Sequence, residues 1–227
     1  MQTWAALFDW DGVIIDSSRQ HERAWERLAA EERRTLAPGF FKRSFGTRND
    51  RVIAELLGWT RDPERIRQLS LRKEALYREL IQGDRVRPLP GVVHWLTALR
   101  EAGVPCAIAS STPRANIDCV VDLLQLRPFF AAAVTAEDVQ QGKPNPEVFL
   151  TAAARLGVSP ARCVVFEDAH VGLEAARAAG MKVVGVATTH PAETLADADR
   201  VVKRLDELTV AQVGSWFSGP PAAGRSS

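Results

Sequence analysis

The ten residues FDWDGVIIDS, Phe8–Ser17, close an apolar run that begins at Trp4 and place two aspartates, Asp9 and Asp11, just beyond it. An apolar run of this length ending in polar residues predicts a buried strand whose carboxyl end opens into a loop. Two carboxylates at such a point read either as solvated turn residues or as part of a site. What the other strands end in decides between them.

From Gly91 onward, short apolar runs alternate with amphipathic stretches. PGVVHWLTALREAG has helical spacing and a glycine stop, VPCAIAS reads as a strand, and TPRANIDCVVDLLQL reads as a helix with Thr112 as N-cap and Pro113 first. FFAAAVTA, RCVVFED and KVVGVAT read as strands, with NPEVFLTAAARLG and AHVGLEAARAAG as helices among them. Apolar runs separated by helices imply a parallel sheet covered on both faces, a doubly wound α/β core. Between Ser17 and about Arg87 the chain is charged and helical throughout, which predicts an inserted all-helical cap. In DPERIRQLSLRKEALYRELI, Ile66, Leu69, Leu76 and Leu80 share a face, and Glu74 and Arg78 have the spacing of an ion pair. The expected division is therefore a core of residues 1–16 and 88–217, a cap of residues 17–87, and a Pro/Gly/Ser-rich tail, 218–227, too polar to pack.

With 227 residues, 46% hydrophobic and 25% charged, the chain suits a globular core with a smaller companion domain. A formal net charge of +1 gives no general attraction to nucleic acid or to an acidic membrane. No apolar run is long enough to span a bilayer, and the N-terminus lacks the basic and apolar regions of a signal peptide. Cys106, Cys119 and Cys163 are widely separated, which suits reduced thiols in a cytoplasmic protein rather than disulfides or a zinc site. Sequence reading expects a monomer or weak homo-oligomer.

The strand ends carry an unusual set of groups: Asp9 and Asp11, then Ser110, Ser111 and Thr112, then Glu137, Asp138 and GKPNP with Lys143, then Glu167 and Asp168. In open parallel sheets, ligands lie beyond the carboxyl ends of the strands, so these groups converge on one crevice. Crowded acids repel, and some stay protonated unless a cation joins them. Hard oxygen donors favour Mg²⁺, which commonly takes one or two protein carboxylates together with a phosphate oxygen. The helix start after Thr112 offers free N–H groups to a phosphate. Pro144 and Pro146 stiffen the loop that carries Lys143. His170 is expected as a first-turn helix residue, and no G-x-G-x-x-G follows a strand, so a dinucleotide site is not indicated.

FDWDGVIIDS, IASST, GKPNP and VVFED, in that order along residues 4–205, resemble the motifs of the haloacid dehalogenase superfamily. The helical cap and DSSRQHERAW resemble its β-phosphoglucomutase-like branch. The resemblance implies a small-molecule phosphatase in which Asp9 is the nucleophile, forming an aspartyl-phosphate, and Asp11 is the general acid–base. It implies Mg²⁺ held by Asp9, the Asp11 carbonyl and Asp168, with Glu167 direct or through water. Ser110 and Lys143 would hold the phosphoryl group, with Ser111, Thr112 and Arg114 as further contacts and His21 at the hinge. In FKRSFGTRND the residue before Gly46 is Phe45, where the mutase has lysine, and Arg48 stands one place earlier than its arginine, with Lys42 and Arg43 displaced. That departure tilts the expectation from mutase to phosphatase, with the mutase as the alternative and a non-catalytic phospho-ligand binder behind it.

Overall fold

A computed structural model describes residues 4–44, 47–84 and 86–218, without the side chain of Lys42. Phe45 and Gly46 of the loop expectation, and all of the tail except Ser218, therefore lie outside the described residues. β1 (Ala5–Phe8) is buried throughout. Its side chains divide between two cores: Ala6 and Phe8 enter one, Ala5 and Leu7 the other. Period-two alternation with apolar residues on both faces is what a central parallel strand requires.

The chain then leaves the sheet through α1 (Ser18–Glu31), α2 (Phe40–Ser44), α3 (Asn49–Arg51), a π-helical turn over Val52–Leu56, and the long α4 (Pro63–Gly83). Asp62 caps α4 by accepting from the Glu64 N–H at 3.2 Å, and Pro63 fills the first position, where no N–H is needed. Leu69, Leu76 and Leu80 are buried as their spacing predicts, and Lys73, Glu74 and Tyr77 are buried with them. The expected Glu74–Arg78 pair does not form, because both residues turn to Asn116 across the seam with the core. The outgoing and returning chains run together: Leu89 N–H donates to the Ile14 carbonyl at 2.8 Å, and Ile15 bridges Pro88.

The remainder alternates: α5 (Val92–Glu101), β2 (Cys106–Ala109), α6 (Arg114–Leu123), β3 (Ala132–Val134), α7 (Glu147–Leu156), β4 (Cys163–Glu167), α8 (His170–Ala178), β5 (Lys182–Val186), β6 (Arg200–Val202) and α9 (Val210–Ser215). Among the described residues six strands pair in parallel in the order β3-β2-β1-β4-β5-β6. Strand order reverses beside β1, which is where an open α/β sheet presents its ligand crevice. Phe8 stands opposite both Ile108 and Phe166, so the residues after β1, β2 and β4 emerge together.

One local reading is corrected, and two further strand and helix ends are defined. Pro113 rather than Thr112 is the N-cap of α6, since the Thr112 hydroxyl donates to Asp11. Ala169 precedes α8 as its cap. ADADR leads into an edge strand: Asp199 accepts from the Val183 N–H at 2.8 Å and the Lys182 ammonium at 2.7 Å, tying β6 to β5.

Candidate active site

Asp9 follows β1, and its N–H donates to the Phe166 carbonyl at 3.0 Å, which fixes it beside β4. Carboxylate oxygens of Asp9, Glu167 and Asp168, all buried, lie within 4.8 Å of one another. The Lys143 ammonium reaches them from the loop before α7, at 2.8 Å from Asp9 Oδ1 and 2.5 Å from Glu167 Oε1. Glu167 Oε2 accepts the N–H groups of Asp168 and Ala169 at 2.8 and 3.0 Å. Asp168 Oδ2 accepts from the Thr189 hydroxyl, and the neighbouring Thr188 hydroxyl donates to the Gly12 carbonyl at 2.5 Å. Two glycines leave the room: a Cβ on Gly12 would lie 2.1 Å from Asp168 Oδ2, and one on Gly172 would lie 1.8 Å from Glu167 Oε1. Gly12 also has φ +82°, a backbone state that side chains disfavour.

The charge in this cluster is unbalanced. Burial first, and then the charges of Glu167 and Asp11, push the Asp9 carboxyl up to about 7 despite Lys143. Burial and the charges of Glu167 and Asp9 push Asp168 up to about 8. Asp9 and Glu167 hold Lys143 above the usual lysine range against the effect of its burial. Three buried carboxylates around one ammonium form an oxygen donor set with room for a hard divalent cation, which would relieve this strain. Asp9, Glu167 and Asp168 therefore fit a metal of the Mg²⁺ type.

Asp11 faces a different neighbourhood. One of its oxygens accepts from the Ser17 hydroxyl, the other from the Thr112 hydroxyl at 2.5 Å. His21 Nε2 stands 4.0 Å from Asp11 Oδ1, and its Nδ1 is 2.7 Å from the Lys73 ammonium. The His21 ring stacks on Tyr77 at 4.1 Å and 15°. Burial and the Lys73 charge lower His21 to about 4, so its imidazole is neutral at pH 7 and Nδ1 accepts from Lys73. Burial likewise lowers Lys73, which pairs with Glu74 at 3.0 Å. The two aspartates thus serve separate surroundings, Asp9 with a cation and Asp11 with hydroxyls and the cap.

Comparison with known proteins now has geometry to rest on. The family model of the haloacid dehalogenase-like hydrolases matches residues 5–180. The chain belongs to that family. It is 38% identical to the chloroplastic 5-amino-6-(5-phospho-D-ribitylamino)uracil phosphatase of Arabidopsis thaliana over 90% of this chain, spanning 55% of that protein's length. It is 34% identical to the validoxylamine A 7'-phosphate phosphatase of Streptomyces hygroscopicus subsp. limoneus, covering 92% of this chain and 97% of that one. The crystal structure of β-phosphoglucomutase from Clostridium difficile superposes with a TM-score of 0.81 at 26% identity, covering 95% of this chain and 97% of that one. In this haloacid dehalogenase-like hydrolase the doubly wound sheet and the acids at its strand ends are thus accounted for together.

Other candidate residues of the hydrolase fall unevenly. Ser110 is buried at the end of β2, its Oγ accepting the Thr112 N–H at 3.2 Å, while Ser111 is exposed. Thr112 holds Asp11. Arg114 is committed elsewhere: its guanidinium donates to Asp138 at 2.5 Å and to the Ala133 carbonyl at 2.9 Å, and its N–H to Glu137. Glu137 and Asp138 therefore do not join the acid cluster; Asp138 also pairs with Arg155 and completes a capping box with Thr135. Arg48 is exposed and folded onto Asp50 at 3.2 Å. His170 is the exposed first residue of α8 and packs edge-on against His190. Trp10 is fully buried. Sequence reading missed Ser17, Lys73, Thr188 and Thr189. A hydroxyl pair directly after the KVVGVA run was the available signal for the threonines.

Proposed function

We propose that this hydrolase is a Mg²⁺-dependent phosphatase of small phosphomonoesters of the sugar-phosphate kind, working through an aspartyl-phosphate on Asp9. The class, a phosphoric monoester hydrolase of the haloacid dehalogenase type, is that of its named phosphatase relatives. The observation that carries the mechanism is the separation of the two aspartates: Asp9 lies 2.8 Å from Lys143, whereas Asp11 lies among Ser17, Thr112 and His21.

Asp9 supplies a carboxylate oxygen to phosphorus, and the leaving oxygen takes a proton from Asp11; Asp11 then removes a proton from the water that attacks the acyl phosphate. Lys143 and Ser110 meet the phosphoryl oxygens. Asp9, Asp168, the Asp11 carbonyl and Glu167, directly or through water, would hold Mg²⁺, which supplies neutralisation of the phosphate charge. Thr112 and Ser17 orient Asp11 between its two proton transfers, and the cap brings His21 and Lys73 over it. Cap closure excludes bulk water from the acyl phosphate until the first product leaves.

Phosphate release across a panel of sugar phosphates and other phosphomonoesters, with Mg²⁺ present or chelated and with Asp9→Asn as control, tests this reading. Release that requires both Mg²⁺ and Asp9 supports it. The similarity to a β-phosphoglucomutase structure motivates a parallel arm with β-glucose 1-phosphate and a hexose bisphosphate primer. Isomerisation with little release would replace the phosphatase by a mutase.

A further inference from the structure

The seam between α4 of the cap and α6 of the core carries a buried polar cluster that the proposed chemistry does not use. Asn116, in the first turn of α6, is 0% exposed. Its side-chain nitrogen donates to Glu74 Oε2 at 2.5 Å, and its side-chain oxygen accepts from Arg78 Nη1 at 2.8 Å. Glu74 and Arg78 lie four residues apart on α4, so one helix face grips both ends of one carboxamide. The other Glu74 oxygen collects two cap groups, the Lys73 ammonium at 3.0 Å and the Asn49 amide at 2.6 Å. Against its own burial, these donors, with Lys73 foremost, hold Glu74 at about 2.

Three groups of this cluster, the Asn116 carboxamide, Glu74 Oε2 and Arg78 Nη1, have these partners only while α4 lies on α6. Withdrawal of the cap would leave the Asn116 carboxamide and one Glu74 oxygen to find water instead. Groups that bond each other in one arrangement and water in the other make a two-state contact. The contact touches the site at both ends. Lys73, next to Glu74, meets His21 beside Asp11, and Asn116 lies four residues beyond Thr112, which donates to Asp11.

We propose that Glu74, Asn116 and Arg78 form the latch that holds the cap closed, and that Asn116 is a positioning residue for substrate capture. The latch rests on the proposed reaction only in what closure is for; its geometry stands apart from it. It sets the fraction of molecules in the closed, binding-competent form, and apparent affinity falls in proportion to that fraction. Saturating substrate restores closure, so loss of the latch raises KM and spares kcat.

The test compares wild type with Asn116→Ala by hydrogen exchange and by steady-state phosphate release from the best substrate of the panel. Exchange in peptides covering 18–31 and 66–83 is expected to quicken about 10-fold or more, with peptides of β1 and β4 unchanged. KM is expected to rise about 10-fold, with kcat within about threefold of wild type. Unchanged exchange overturns the latch, as does a fall in kcat at constant KM, which would assign Asn116 to the chemical steps. Should Asn116→Ala not fold, Arg78→Met removes one arm and is expected to shift exchange and KM in the same direction by less; no shift there overturns the proposal. A wild type that releases no phosphate refutes the phosphatase reading, while the exchange comparison still decides the latch.

Discussion

Gly172→Ala changes one atom in the first turn of α8, far smaller than most active-site substitutions, yet the structure predicts a specific failure. The added Cβ would lie 1.8 Å from Glu167 Oε1, 1.9 Å from its Cδ and 2.5 Å from its Cγ, so Glu167 has to move. That side chain receives Lys143 at 2.5 Å and the N–H groups of Asp168 and Ala169 at 2.8 and 3.0 Å. Losing one such charged hydrogen bond costs about 1.5–3 kcal/mol. Alanine in place of a helical glycine returns about 1 kcal/mol, so the fold is expected to lose about 0.5–2 kcal/mol. The larger effect falls on the metal, because displacing a ligand or its supporting group lowers metal affinity about 10- to 100-fold. The assay is the Mg²⁺ dependence of phosphate release, read with a urea or thermal melt. The Mg²⁺ concentration for half-activation should rise by that factor, with turnover partly recovered at high Mg²⁺. An unchanged Mg²⁺ requirement in a variant as stable as wild type or more so would refute the reasoning, since Glu167 would then not need the space.

Thr112→Val removes the hydroxyl that holds Asp11 at 2.5 Å, and kcat for a sugar phosphate is expected to fall about 10-fold. An aryl phosphate, whose leaving group departs with less need of a proton, should slow less in the same steady-state assay. His21 is lowered from 6.5 to about 4, so the unfolded chain binds its proton first as pH falls. Its contribution is therefore complete above pH 6.5 and is lost progressively between pH 6.5 and about 4, by about 3 kcal/mol in all. Urea melts across that range should show the decline, and His21→Gln should flatten it; equal slopes in the two proteins would contradict a buried neutral imidazole.

The strands could be read because apolar runs such as Ala5–Phe8 and Cys163–Glu167 are buried on both faces, and the acids that follow them stand out against the run. The exception, β6, is a three-residue edge strand with one exposed arginine, too short to carry a pattern. The acids at the strand ends, Asp9, Glu167 and Asp168, could be expected to meet from sequence, and the structure clusters them with Lys143 from its proline-flanked loop. Arg114 shows where adjacency misleads. It follows the Ser110–Thr112 loop in the chain, but as the first residue of α6 it pairs with Asp138 beyond β3. Lys73 and Glu74 were hidden for another reason. On a charged helix they have the look of solvated surface, and only packing against His21 and Asn116 buries them. Partners 42 residues apart leave no local periodicity to find.

The central claim is that Asp9 receives the phosphoryl group while Asp11 moves the proton. Rapid quench of the enzyme during turnover with Mg²⁺, followed by borohydride reduction of the acyl phosphate and peptide mass spectrometry, tests it most directly. The account predicts reduced Asp9 in the peptide containing FDWDG, absent when Mg²⁺ is chelated and accumulating in Asp11→Asn when an aryl phosphate supplies the phosphoryl group. Modification at Asp11, or full turnover with no modified Asp9 under conditions that trap a known acyl phosphate, would contradict it.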